Sequence, residues 1–88
     1  MLEEKLLDLG AEGAAFFKNP GFEDAVIGLT DDGRVVYSYY RMISSAMKSE
    51  GWTEEEATEW INYNTLRSIP YMGEKAPVVV FYEEEFGA

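Results

Sequence analysis

Ala25-Val26-Ile27-Gly28-Leu29-Thr30 runs into Asp31-Asp32-Gly33-Arg34 and then into Val35-Val36-Tyr37-Ser38-Tyr39. Both flanks are rich in β-branched and aromatic residues, and the pivot between them contains Asp-Gly. Glycine adopts the positive φ that tight hairpin turns require. The stretch therefore predicts two antiparallel strands joined by a turn over residues 31–34. Simple alternation places Ile27 and Leu29 on one face of the first strand. Gly28, inside that strand, marks a bulge or the close approach of a neighbouring element.

Beyond the hairpin the apolar period changes from two to 3.6. Met42, Ile43, Ala46 and Met47 form a stripe that predicts a helix over about 40–49, with Gly51 as its C-terminal cap. Thr53-Glu54-Glu55-Glu56 has capping-box spacing, and its glutamates complement the positive end of a helix dipole. A second helix is expected over about 54–64, with Ala57, Trp60, Ile61 and Asn64 on one face. Trp60 and Ile61 are expected core residues, and Trp52 is placed to pack back against Ala57 as a hydrophobic staple. Pro70 should end helical structure by residue 69. Pro77-Val78-Val79-Val80-Phe81-Tyr82 is a last strand, and its unbroken apolar character predicts a central position.

On the other side of the hairpin, Leu2, Leu6 and Leu9 predict a short helix over about 2–9. Residues 14–17 suit an edge strand or a hydrophobic loop, and Asn19-Pro20-Gly21 is a turn. Together these elements predict one α+β domain of 88 residues. A small antiparallel or mixed sheet, made of the hairpin at about 25–39 and the strand at 77–82, packs on one face against the helical pair.

Composition narrows function by exclusion. Asp and Glu number seventeen and Lys and Arg seven, a net charge of −10, and there is no histidine or cysteine. So negative a chain repels nucleic acid and anionic membranes. Lacking His and Cys, it has neither the commonest general base nor a thiol nucleophile, and most zinc ligand sets are out of reach. The aromatic fraction of 15% sets it apart from a disordered acidic tail. Met1-Leu2-Glu3-Glu4-Lys5 shows no basic start or apolar run of the signal-peptide kind, and a cytoplasmic location is expected.

Asn62-Tyr63-Asn64-Thr65-Leu66-Arg67 is the best candidate for a specific site. Amides, a hydroxyl and a guanidinium crowd where a helix is expected to end. On the structural reading, which is the favoured one, Asn64 and Arg67 cap free helix carbonyls. On the functional reading they form a recognition surface, with Arg67 pairing to a carboxylate or phosphate of a partner. Tyr63, Asn64, Arg67 and Tyr71, with the acidic run Glu83, Glu84 and Glu85, are the candidate partner-binding residues. Asp31-Asp32 lacks the alternate ligand spacing and closing glutamate of a calcium loop and is better explained as a turn. Glu54, Glu55 and Glu56 diverge by about 100° per residue and cannot converge on one ion. Glu56 and Glu59 share a helix face, but nothing in the sequence predicts the burial a catalytic pair needs. No catalytic residue, metal or cofactor is expected.

Residues 19–80 resemble a small family of acidic hypothetical proteins of gut Firmicutes, their phages and other mobile elements. The resemblance rests on Asn19-Pro20 with Asp24-Ala25-Val26-Ile27-Gly28, on Asp32-Gly33-Arg34-Val35-Val36-Tyr37, and on Thr53-Glu54-Glu55-Glu56-Ala57. It is most distinctive at Ile61-Asn62-Tyr63-Asn64-Thr65-Leu66-Arg67-Ser68-Ile69-Pro70-Tyr71. It implies a source and carries no activity. Ser38 and Asn62 stand where that family usually has Asp, so any role needing a carboxylate there is lost.

Charge, aromatic supply and resemblance together give a functional expectation. The chain is expected to be a non-enzymatic acidic binding protein that docks on a basic protein partner and touches neither nucleic acid nor membrane directly. In its sharpest form it is a nucleic-acid mimic, with carboxylates replacing phosphates in the groove of a host defence or regulatory protein. The alternative is a homo-oligomeric module, a homodimer for instance, in which an edge strand near residues 14–17 pairs with its own copy.

Overall fold

The computed structural model describes residues 13–18 and 22–81. The expected helix at 2–9, the turn at 19–21, Tyr82 and the run Glu83, Glu84 and Glu85 lie outside the described residues. The fold is α+β, with a three-stranded mixed sheet in the order β1-β2-β3 and helices crossing from β2 to β3.

The hairpin forms where the sequence places it. β1 (Val26–Leu29) pairs antiparallel with β2 (Val35–Ser38). Thr30 N–H donates to the Arg34 carbonyl at 2.8 Å, and Gly33 N–H to the Thr30 carbonyl at 3.0 Å. The loop is thus three residues long and ends on Gly33 at φ 83°, where a side chain would be strained. The Thr30 hydroxyl accepts from Arg34 N–H at 2.8 Å and donates to the Asp32 carboxylate. Arg34 adds an ion pair to that carboxylate at 3.8 Å, and Lys75 reaches the Asp32 carbonyl. The hydrogen bond from Thr30, followed by the nearby charges of Arg34 and Lys75, holds the Asp32 carboxyl below its usual range and outweighs the opposing effect of desolvation.

Gly28 does mark a bulge. Val26 faces Tyr37 and Gly28 faces Val36, so Ile27 is the extra residue. The insertion breaks the alternation on which the sequence expectation rested. Leu29 packs against the core, whereas Ile27 turns outward and is 43% exposed. Nothing lies within 4 Å of where a Gly28 side chain would begin, so no close approach of a neighbouring element requires the glycine.

β2 lies at the centre of the sheet, with Val35 and Tyr37 fully buried. β3 (Val78–Val80) runs parallel to it, with Val36, Tyr37 and Ser38 opposite Val78, Val79 and Val80. This corrects the central position expected for the last strand. Among the described residues β3 is an edge, and each of its valines is only partly buried. Its apolar run reflects partial cover on two faces. Val79 packs on the core, and Phe81 stacks on Tyr39 with ring centroids 4.3 Å apart.

Ser38 ends β2 and caps α1 (Tyr39–Glu50) by accepting from Arg41 N–H at 3.4 Å. Gly51, at φ 71°, stops the helix in the left-handed conformation expected of it. The buried stripe is Tyr39, Met42, Ile43 and Ala46, and Met47 falls on the exposed side. That stripe meets Ala57 and Ile61 of the following helical run, and with Phe17, Phe22 and Ala25 they close a single core. Residues 14–17 form no strand. They are a hydrophobic loop, with Phe17 buried against Tyr37 at 4.6 Å between ring centroids and Ala15 N–H bonded to the Lys75 carbonyl.

Candidate functional site

The second helical run is longer and less regular than its sequence pattern suggests. It begins as α2 (Glu54–Trp60), capped as expected. Glu56 N–H donates to the Thr53 hydroxyl at 3.1 Å and Thr53 N–H to the Glu56 carboxylate at 2.9 Å. It then widens into a π turn (Ile61–Thr65), in which Leu66 N–H reaches the Ile61 carbonyl five residues back. It closes through α3 (Leu66–Ser68) and a 3₁₀ turn (Ile69–Tyr71). Pro70 does not end helical structure before residue 70. It sits in the first positions of the 3₁₀ turn, where a missing N–H costs nothing.

The π turn decides where the candidate residues point. Ala57, Ile61 and Thr65 are buried, and Asn64, expected beside Trp60 on the inner face, is exposed. One extra residue per turn moves the face by that much. Asn64 does satisfy a backbone carbonyl, since its amide donates to Trp60 O at 3.1 Å, but in mid-run and not at a helix end. Arg67 caps nothing. Its guanidinium lies over the Tyr63 ring, 4.8 Å from the centroid and one turn away. Asn62 accepts from the Tyr39 hydroxyl at 2.9 Å and ties the π turn to the start of α1. Ser38, the other position where a carboxylate was absent, is buried as the α1 cap.

Ile61 is fully enclosed, while Trp60 packs against the core with part of its ring at the surface. Trp52 packs against the core cluster that contains Ala57, and its ring meets that of Trp60 at 5.5 Å between centroids and 38° between ring planes. Around these rings the run is hollowed. One open groove of about 550 Å³ is lined by Glu54, Glu55, Thr58, Glu59, Asn62 and Tyr63. A second, of about 420 Å³, is lined by Trp52, Glu56, Glu59, Trp60, Tyr63 and Asn64, and shares Glu59 and Tyr63 with the first.

Of the candidate residues, the structure brings together Tyr63, Asn64 and Arg67, all exposed on the π turn and the turn after it. Tyr71 closes the same run at 89% exposure, with Tyr63 at 60%. Sequence reasoning left Trp52, Glu54, Glu55, Glu59 and Trp60 out of the site. The signal was present: Glu56, Glu59, Trp60 and Tyr63 recur at helical spacing and so share a face.

Glu54, Glu55, Glu56 and Glu59 are all exposed, and among the described residues none of them has an ion-pair partner. Of the four, only Glu56 is held, by its cap. The face is therefore a set of solvated carboxylates around an aromatic floor. Among the described residues no group of three or more acidic side chains is placed to hold a metal ion, and no helix is long and apolar enough to cross a membrane. Comparison with protein-family models, curated proteins and solved structures finds no match to this chain.

Proposed function

We propose that the chain is a non-enzymatic binding protein that docks a basic protein partner on the face formed by α2 and the π turn. One observation carries this reading: among the described residues, Glu54, Glu55 and Glu59 have no ion-pair partner, and they lie beside Trp52, Trp60 and Tyr63 along two adjoining grooves. Aromatic anchors beside a cluster of carboxylates suit recognition of the opposite charge. Exposure of the carboxylates argues for binding over catalysis, because a catalytic carboxyl needs burial or a close like charge to tune it. The net charge of −10 adds a long-range field that attracts a basic partner and repels a phosphate backbone. The sequence resemblance supports an origin in a phage or mobile element, and together with the acidic charge and the aromatic supply it supports mimicry of nucleic acid. For a homo-oligomer, residues 14–17 supply no strand to pair across a two-fold axis.

The test is affinity capture by the full chain, followed by measurement of the association rate of the captured protein between about 50 and 500 mM salt, over which the Debye length falls from roughly 14 to 4 Å. The expected partner is basic and associates more slowly as salt rises. A partner whose association ignores salt would sink the reading, as would tight binding of the chain to DNA or RNA at physiological salt.

A further inference from the structure

The groove of about 420 Å³ has a composition that selects one kind of occupant. It is lined by the rings of Trp52, Trp60 and Tyr63 together with Glu56, Glu59 and Asn64. An aromatic face attracts a cation through its ring quadrupole, and a carboxylate beside it supplies the counter-charge. Among the described residues no cation of the chain fills this place. Arg67 lies over Tyr63, Arg34 and Lys75 are engaged at Asp32, and Arg41 and Lys48 line a separate hollow with Asp24. Lys18 lines a neighbouring cavity that shares Trp60 and Asn64 with the groove, and it is not among the groove's own lining residues. Among the described residues a guanidinium lies over the Tyr63 ring, and no cation lies over the tryptophan pair beside it.

We propose that this groove is an arginine-binding site, which takes the guanidinium of one arginine side chain of the basic partner. The inference rests on the docking reading above and names its anchor. The geometry limits the pose. Ring centroids 5.5 Å apart leave no space for a plate between the tryptophans, since two stacked contacts need about 3.5–4 Å each. The guanidinium lies instead on the exposed face of the pair, with its N–H edge toward Glu59 and the free oxygen of Glu56. Arginine suits this better than lysine, because a planar, weakly hydrated guanidinium stacks while offering several in-plane donors.

Trp52 and Trp60 are the chain's only tryptophans, and both line the groove, so their indole N–H signals report directly on it. The full chain is titrated with the blocked tripeptide Gly-Arg-Gly at fixed ionic strength and followed by ¹H–¹⁵N correlation spectra. Saturable shifts of both indole signals are expected, with a dissociation constant on the order of 5 mM. The citrulline counterpart, isosteric and neutral, should bind at least about tenfold more weakly, and the lysine tripeptide several-fold more weakly. Glu59→Gln should weaken binding about threefold, and Trp52→Ala should abolish it in a chain whose remaining amide spectrum is unchanged. Equal binding of the citrulline or lysine tripeptide overturns the assignment. So do indole signals that stay unmoved to about 50 mM. If the indoles stay unmoved while association with the basic partner keeps its salt dependence, the groove assignment fails and the docking reading stands. If the tripeptide binds and no salt-dependent partner exists, the docking reading fails.

Discussion

Replacing Ile61 by alanine should cost about 3–4 kcal/mol of stability, and the reason is its place in the fold. Ile61 opens the π turn, is fully buried, and faces the α1 stripe alongside Ala57. Three carbons leave the core at about 0.8 kcal/mol each, or about 2.4 kcal/mol of transfer free energy. A residual cavity of about 50 Å³ adds about 1.2 kcal/mol at 24 cal/mol per Å³, because helices on two sides cannot fully collapse into it. Against a total of roughly 4–13 kcal/mol for a chain of this length, the loss is a large share. Urea denaturation followed by circular dichroism is the assay. With a slope of about 1.2–1.5 kcal/mol per M, the midpoint should fall by roughly 2–3 M. A fall below about 0.5 M at unchanged slope would show that residue 61 is not enclosed, and with it that the π turn does not turn this face inward.

Gly33→Val should destabilise by about 1 kcal/mol or more, since φ 83° is strained for a β-branched residue; equal melting of variant and parent would reject the turn geometry. The Asp32 carboxyl titrates below its ordinary value of 3.8, chiefly because Thr30 bonds its charged form. A folded-state pKa lower than the unfolded one stabilises above the unfolded value, and that contribution is lost as pH falls through the folded one. Asp32→Asn should therefore flatten the stability profile between pH 3.8 and the lower folded value, and Thr30→Val should raise the Asp32 pKa in a carboxyl NMR titration. Asn64→Ala should leave the fold intact and cost about 1 kcal/mol, by removing the side-chain hydrogen bond to the Trp60 carbonyl; a cost near zero would mean that water replaces the amide.

The hairpin and the start of α2 were legible because each rests on a local rule. Asp-Gly dictates the hairpin, and Thr53 with Glu56 dictates the start of α2. The face of Ile27, the edge position of β3 and the inward face beyond Trp60 were not legible, for two physical reasons. A bulge and a π turn each add one residue to a periodic element, and periodicity arguments assume that none is added. Strand order depends on which element the crossover leaves at the centre, and the composition of an individual strand does not carry that. The site followed the same division. Tyr63, Asn64 and Arg67 stood out by residue type, whereas Trp52, Glu54, Glu55 and Glu59 belong to it only through the face they share.

The π turn joins the two halves of this reading. A regular helix through residues 61–65 would advance its face by the usual angle per residue. The widened turn keeps Ile61 and Thr65 buried while Tyr63 stands out, 60% exposed, at the meeting of both grooves. The turn is fastened from three sides. Asn64 bonds the Trp60 carbonyl, Asn62 accepts from Tyr39 on α1, and Arg67 lies over Tyr63. Two of these three fastenings come from exposed side chains of the distinctive Asn62-Tyr63-Asn64 segment, and the third holds its tyrosine. Those residues therefore answer to the geometry of the turn first, and the aromatic face they leave beside Glu59 is what a cationic partner would meet.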